Sequence, residues 1–326
     1  MARLRSLTGI QPSGVPHIGN LKGMIEPALQ LQQTHEPFYF IASYHALTTL
    51  KDPELMRQNQ LEAALTFLAF GLDPAHTALF RQQDVPEVTE LAWVLGCHVN
   101  TGPLERAHAY KAARDAGKEI NLGTFSYPVL MAADILIYDS THVPVGQDQK
   151  QHVEMARDMA QAFNHHYGEV FVLPEPLIRP EVAVVPGIDG RKMSKSYGNT
   201  ITLFDAPKKL RKRIMKIVTD SRGVDDPKDP DESVIFDLYK LFATPAQQAA
   251  LAERYRAGGM GYGEAKQELF EVLDAFLAEP RARYHELLAH PEQVEAILRD
   301  GADRARTVAR ATMERVRDAA GIPRTR

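Results

Sequence analysis

Short apolar runs alternate with stretches of helical periodicity through the first half of the chain. Leu4 to Leu7 reads as a strand, and LKGMIEPALQLQQ after it carries Leu21, Ile25, Ala28, Leu29 and Gln32 at helical spacing. Pro37 to Ser43 (PFYFIAS) is aromatic and apolar enough for a buried strand. Asp52-Pro53 is a helix start, with Leu61, Ala64, Leu65 and Leu68 as its apolar stripe and Gly71 as its terminator. Ala78 to Gln82 predicts a third strand and Val88 to Leu95 a helix. Ser126 to Tyr138 predicts another helix with Pro128 near its start. Thr141 to Asp148 reads as a strand turning into a helix over Gln149 to Phe163, and Val170 to Leu173 and Val182 to Val185 as further strands. This alternation predicts a doubly wound parallel α/β sheet of Rossmann type, with ligands at the carboxyl ends of the strands.

After Asn199 the character changes. Pro207 to Val218 is strongly basic, Asp225 to Glu232 is an acidic, proline-interrupted loop, and from Ser233 the pattern is helical. Gly258, Gly259, Gly261 and Gly263 interrupt two of these helices. Residues 1–186 are therefore expected to form the sheet domain, and residues 187–326 a mobile loop followed by an all-helical domain.

Composition narrows the classes. At 326 residues, 44% hydrophobic and 25% charged, the chain fits a soluble globular protein of two domains. No apolar run reaches the length of a membrane span, and MARLRSLTG lacks a secretory core, so a cytoplasmic protein is expected. The single cysteine, Cys97, rules out a disulfide framework and a cysteine-rich zinc cluster. A net charge of −4 argues against indiscriminate nucleic-acid binding and leaves room for a local basic face.

Three segments carry chemistry. In TGIQPSGVPHIGN, from Thr8 to Asn20, a glycine- and proline-rich loop joins strand to helix; this geometry points backbone N–H groups at an anion. Gly9, Gly14 and Gly19 permit close backbone approach, and His17 and Asn20 stand one turn apart. Far downstream, Lys192-Met193-Ser194-Lys195-Ser196 follows the flexible Pro186 to Gly190. Its two ammonium groups, three residues apart, suit a polyphosphate whose charge moves during reaction. Between them, Tyr127, Met131, Asp134 and Ile135 share one helix face. A carboxylate on an apolar face needs a partner: a neighbouring protein group, or a flat ligand that donates one N–H or O–H. The basic run Lys208, Lys209, Arg211, Lys212, Arg213 and Lys216 is either a solvated face or a phosphate-backbone contact. Arg304, Arg306, Arg310, Arg315 and Arg317 leave two readings equally open: a solvated face or, as a resemblance to aminoacyl-tRNA synthetases implies, an anticodon contact.

The early loop and KMSKS together resemble the two nucleotide-binding motifs of class I aminoacyl-tRNA synthetases. With SYPVLMAADIL, PVGQDQKQH, VTDSRG and GADRARTVA, nearly the whole chain resembles a bacterial-type tryptophanyl-tRNA synthetase. That resemblance implies activation of L-tryptophan by ATP with Mg²⁺ carried on the nucleotide, no dedicated protein metal site, transfer to tRNA(Trp), and a homodimer. It implies that Asp134 accepts the indole N–H while Tyr127, Met131, Val143 and Val145 enclose the ring. His45 lies in the same pocket, and Gln149 meets the α-amino group. For ATP it implies Gln11, Pro12, Ser13, His17, Gly19 and Asn20 around the phosphates, and Gly146, Gln147 and Asp148 at the ribose. The backbone of Val184 and Met193 would meet the adenine, and Lys192, Ser194, Lys195 and Ser196 the departing pyrophosphate. Lys192, Lys195, His17 and Gln11 are the implied catalytic set.

Three departures from the family pattern stand out. Ser43-Tyr44 precedes His45 where an acidic residue and Gln are common, Gln147 replaces a usual Glu, and Lys111 and Arg114, with Lys118 beyond, replace two close lysines. They keep open a tyrosine-specific or modified-indole-preferring relative. A synthetase-like binding protein without catalysis and a small nucleotidyltransferase are the readings from other classes.

Overall fold

The computed structural model describes residues 4–115, 117, 119–145, 150–178 and 184–323. Among the described residues five parallel strands, β1 Leu4–Ile10, β2 His35–Ile41, β3 Ala78–Arg81, β4 His142–Val145 and β5 Glu175–Ile178, form one sheet in the order β3-β2-β1-β4-β5. β1 pairs with β2 along its whole length, from Leu4 opposite His35 to Ile10 opposite Ile41. Against β4 its register holds a single pair, Ser6 opposite His142. The strand order reverses between β1 and β4, and the crevice at their carboxyl ends is where a doubly wound sheet presents its ligand site.

Side chains of the strands divide between two cores, one on each face. Leu7, Phe38, Phe40, Ala78 and Phe80 pack into one, Ile10, Tyr39, Ile41 and Leu79 into the other. Both cores draw on residues from either side of position 186. On one face Ile201, Leu203, Leu238, Leu273 and Leu298 join the sheet residues. On the other, Ala302, Ala305, Ala309, Met313 and Val316 join Ala133 and Phe163. The last helix, Pro291–Ala319, thus wraps round the β3 edge and contributes to both layers, covering a strand edge that would otherwise be open.

Most expected elements form, with local differences that have identifiable causes. The Asp52 carboxylate accepts the N–H groups of Glu54 and Leu55 at 2.9 and 3.1 Å and starts the helix Pro53–Ala69, and Gly71 follows it at φ +94°. The helix expected from Ser126 instead spans Leu122–Leu136. Asn121 caps it by accepting the Thr124 N–H at 2.8 Å, so Pro128 lies inside rather than near its start. Val170 to Leu173 is not a strand. The Asn164 side chain accepts the N–H groups of Val170 and Phe171 and donates to the Phe171 carbonyl, which spends those groups locally. The strand forms further on, as β5. Gly263 breaks nothing; it lies in the first turn of Tyr262–Ala289. Of the strand expected at Val182 to Val185, residues 182 and 183 lie outside the described residues. Among the described residues no helix is long and apolar enough to cross a membrane.

Arg310 and Arg315 of the C-terminal arginines stay partly exposed, and all five also bond within the chain. Arg304 donates to the carbonyls of Pro74 and Thr77 at 2.6 and 2.9 Å, and Arg306 and Arg310 both reach Glu87 at 3.1 Å. Arg315 pairs with Asp139, and Arg317 forks onto both oxygens of Glu90 at 2.6 Å. Besides Asp300 and Thr312 on the same helix, their partners belong to the sheet half of the chain, so the stripe fastens the last helix to the sheet.

Gly301 is where this helix comes closest: a Cβ there would overlap the Leu79 carbonyl oxygen, whereas one at Gly263 meets nothing within 4 Å. Gly301→Ala should therefore destabilise the protein by about 3 kcal/mol through overpacking, lowering its melting temperature. Gly263→Ala should leave that temperature unchanged or raise it. Equal melting temperatures for the two variants would contradict this packing.

Candidate active site

The glycine loop leaves β1 and is fastened on two sides. Asn59, on the helix Pro53–Ala69, donates through Nδ2 to the Pro12 carbonyl at 3.2 Å, and Gly14 takes φ +91°, a conformation that strains any other residue. On the other side the Ile18 N–H donates to Ile201 O at 3.0 Å, the Leu203 N–H donates to Pro16 O at 3.3 Å, and His17 forms an antiparallel bridge with Thr202. The helical run then continues as Ile18–Asn20, a π-helical turn Leu21–Ile25 and Glu26–Leu31. Some of the N–H groups expected to face an anion are already used. Ile18 gives its own to Ile201, and the His17 N–H donates to Asn20 Oδ1 at 3.1 Å.

The lysine motif lies directly against this loop. Met193 is buried, and its N–H donates to the Val185 carbonyl at 2.9 Å, so the backbones of Val184–Val185 and Met193 run side by side. Met193 also closes over Gly19, where a Cβ would sit 3.6 Å from the Met193 Cβ and 3.0 Å from the His17 ring. Lys195 reaches back across the crevice and donates through Nζ to the Ser13 carbonyl at 2.8 Å. Lys192 and Ser196 are exposed, and the Ser194 and Ser196 hydroxyls lie 3.2 Å apart. The motif is shaped by residues that sequence reasoning missed. Asn199 Oδ1 accepts the Ser194 N–H at 2.8 Å, while its Nδ2 donates to Asp189 Oδ1 at 2.7 Å and to the Lys192 carbonyl at 3.1 Å. Arg213, counted above among the basic run, donates to the carbonyls of Thr200 and Gly198 at the end of the motif.

His17 is buried under this loop, and its Nδ1 has no hydrogen-bond partner. Burial first, and the nearby Lys195 ammonium second, pull its pKa down from 6.5 to about 4. The imidazole is therefore neutral at physiological pH and can donate or accept a hydrogen bond without adding a third positive charge beside the lysines.

The second half of the site centres on Asp134 of the helix Leu122–Leu136. Asp134 is 1% exposed. Gln82 Nε2 donates to its Oδ1 at 2.9 Å and its Oδ2 at 2.8 Å, and His45 Nε2 lies 2.9 Å from Oδ2. Burial pushes the carboxyl's pKa up, and the bonds from His45 and Gln82 oppose the shift. Gln82 is itself oriented by accepting the Tyr44 N–H at 2.9 Å, and Ser43 bonds Gln83 beside it. Tyr127 donates toward His152 Nε2 at 2.6 Å, and its ring meets His45 edge-on at 6.2 Å. Met131 and Val145 are half-buried and Val143 is buried. A carboxylate accepts at about four positions. Two are taken on Oδ2 and one on Oδ1, which leaves Oδ1 the freer oxygen for an incoming donor. The expected contacts at Gly146, Gln147, Asp148 and Gln149 lie outside the described residues.

The sequence profile of the family described as tRNA synthetases class I (W and Y) matches residues 1–278. The chain belongs to that family. A tryptophan–tRNA ligase of Rhodopirellula baltica is 52% identical over 319 residues, covering 98% of this chain and 100% of the relative. One from Neisseria meningitidis is 48% identical over 99% of each. Among solved structures, a tryptophanyl-tRNA synthetase of Campylobacter jejuni complexed with ADP and tryptophan superposes with a TM-score of 0.93 at 48% identity, over 98% of this chain and 100% of that one.

In this synthetase the glycine loop follows β1, while His45 and Gln82, which hold Asp134, follow β2 and β3 at the same carboxyl end of the sheet. Gln82, Asn199 and Asp189 are not marked by their sequence neighbourhoods, because each acts through side-chain hydrogen bonds that only the folded chain brings together. A polar pair directly after the apolar run Ala78 to Phe80, Gln82-Gln83, was the one available hint.

Protonation of His17 is disfavoured in the folded protein, so the unfolded chain binds the proton first. The His17 contribution to stability is thus complete above pH 6.5 and is lost as pH falls toward about 4. A ¹H–¹³C titration of the histidine rings should find one resonance with a midpoint near 4 that disappears in His17→Gln. A His17 midpoint near 6.5 would contradict the burial described here.

Proposed function

We propose that this chain is a tryptophan–tRNA ligase. The carboxylate of L-tryptophan attacks the α-phosphate of ATP, giving tryptophanyl-adenylate and pyrophosphate. The aminoacyl group then passes to the 3′ end of tRNA(Trp). The observation that supports the reading is Asp134, a buried acceptor held by Gln82 and His45, which follow the strands next to the one that leads into the glycine loop. Tryptophan has the single N–H such a site requires. Phenylalanine has none, and leaving the carboxylate without its partner costs about 1–3 kcal/mol.

The protein contributes position and electrostatics rather than a covalent partner. Gln11, Pro12 and Ser13 with His17, Gly19 and Asn20 form the wall along the triphosphate. Lys192 and Lys195 follow the charge onto the leaving pyrophosphate, and Ser194 and Ser196 lie beside them. Val184 and Met193 offer backbone to the adenine, Gly146, Gln147 and Asp148 meet the ribose, and Gln149 meets the α-amino group. Among the described residues no three His, Cys, Asp or Glu side chains converge on a metal position, and Mg²⁺ arrives on the nucleotide. Residues 1–186 supply the activation site, and residues 187–326 supply the lysine loop and the helices that meet tRNA. The enzyme acts in the cytoplasm as a homodimer.

ATP–pyrophosphate exchange with each of the twenty amino acids tests the reading, and tryptophan alone should stimulate it. Exchange driven by tyrosine, or by none, would overturn it. Asp134→Ala should raise the KM for tryptophan about 10- to 100-fold while moving the KM for ATP less than about twofold. Gln82→Leu should follow it with a smaller rise, because it leaves the acceptor in place but unoriented. Equal losses for both substrates would sink the pocket assignment.

A further inference from the structure

Lys195 donates to a backbone carbonyl, and a carboxylate stands within electrostatic reach of it. Glu62 lies one turn beyond Asn59 on the helix Pro53–Ala69, the same helix that holds the Pro12 carbonyl. A Cβ placed on Gly14 would lie 3.7 Å from Asn59 Oδ1 and 3.8 Å from Lys195 Nζ, so the ammonium rests near the Asn59 side chain, one turn from Glu62 along the helix. Glu62 is gripped from the far half of the chain: the Tyr284 hydroxyl donates to its Oε2 at 2.7 Å. Tyr284 in turn stacks on Phe204, with centroids 4.0 Å apart and rings 12° from parallel. Phe204 belongs to the segment that closes against the glycine loop through Ile201 and Leu203.

Resting on the reading that this crevice binds ATP, we propose that Glu62 is a positioning residue that competes with nucleotide phosphates for Lys195. Its carboxylate, fixed by Tyr284, holds the ammonium at the Ser13 carbonyl. Lys195 must leave that position to follow a phosphate. The C-terminal helix Tyr262–Ala289, through one hydroxyl, thereby sets how readily the lysine departs. The charge effects agree with this placement. Burial raises the pKa of Glu62, which the Tyr284 bond and the Lys195 charge oppose, and burial lowers that of Lys195, which Glu62 opposes. No other assigned role of the site uses Glu62 or Tyr284.

The test is equilibrium ATP binding to the full chain by calorimetry, without amino acid. Glu62→Gln removes the charge and keeps an acceptor for the Tyr284 hydroxyl. It should tighten ATP binding about three- to tenfold, the size of one screened charge interaction at the edge of a protein. In a Lys195→Met background the same substitution should change nothing, because the group it acts through is gone. Tyr284→Phe, which keeps the stacking on Phe204, should tighten binding by a smaller factor and add nothing to Glu62→Gln. Unchanged or weakened ATP binding in Glu62→Gln, or an equal gain with and without Lys195, would overturn the proposal. A wild-type chain that binds no ATP would instead overturn the functional reading on which it rests.

Discussion

The hydrogen bonds from Ile18 to Ile201 and from Leu203 to Pro16 clamp the glycine loop to the segment that follows the lysine motif. Everything at the nucleotide end of the site depends on that clamp. It brings His17 under cover and presses Met193 onto Gly19. It also leaves Lys195 within reach of Ser13. A loop of this glycine and proline content has many conformations in an unfastened chain, and the strand-like bridge at His17 and Thr202 selects one. The clamp also explains why Ile201 and Leu203 are fully buried although they sit in irregular backbone: they carry the loop into the core shared with the C-terminal helices.

At the other end of the crevice the governing quantity is desolvation. A carboxylate as deeply buried as Asp134 is costly unless it is hydrogen-bonded. Gln82 and His45 meet that demand and fix the plane in which a further donor must arrive. On the proposed reading the arrangement discriminates by presence or absence of a donor, and against tyrosine, which also donates, Tyr127, Met131, Val143 and Val145 act by shape.

Much of this architecture is legible in the amino-acid sequence alone. Apolar runs and period-3.6 patterns locate the first four strands of the sheet, the Asp52 cap, and the face on which Asp134 sits with Tyr127 and Met131. Local signals fail where a side chain distant in space or a cap outvotes them. Asn164 bonds along Val170 to Phe171 and displaces a strand, and Asn121 moves a helix start ahead of Pro128. The C-terminal arginines show the larger limit. Their spacing marks a helix face, yet nothing in it says that Glu87, Glu90 and Asp139 lie opposite. Gln82, Asn199 and Glu62 are illegible for the same reason: each has an ordinary neighbourhood in sequence and a decisive one in space.

A crystal structure of the chain with tryptophan and a non-hydrolysable ATP analogue bears most directly on this account. It should place the indole nitrogen within hydrogen-bond distance of Asp134 Oδ1 with Gln82 and His45 unmoved. The phosphates should lie along Ser13 to Asn20, and Lys195 Nζ should be on a phosphate oxygen rather than on Ser13. An indole turned away from Asp134, or phosphates bound apart from the clamped loop, would contradict it.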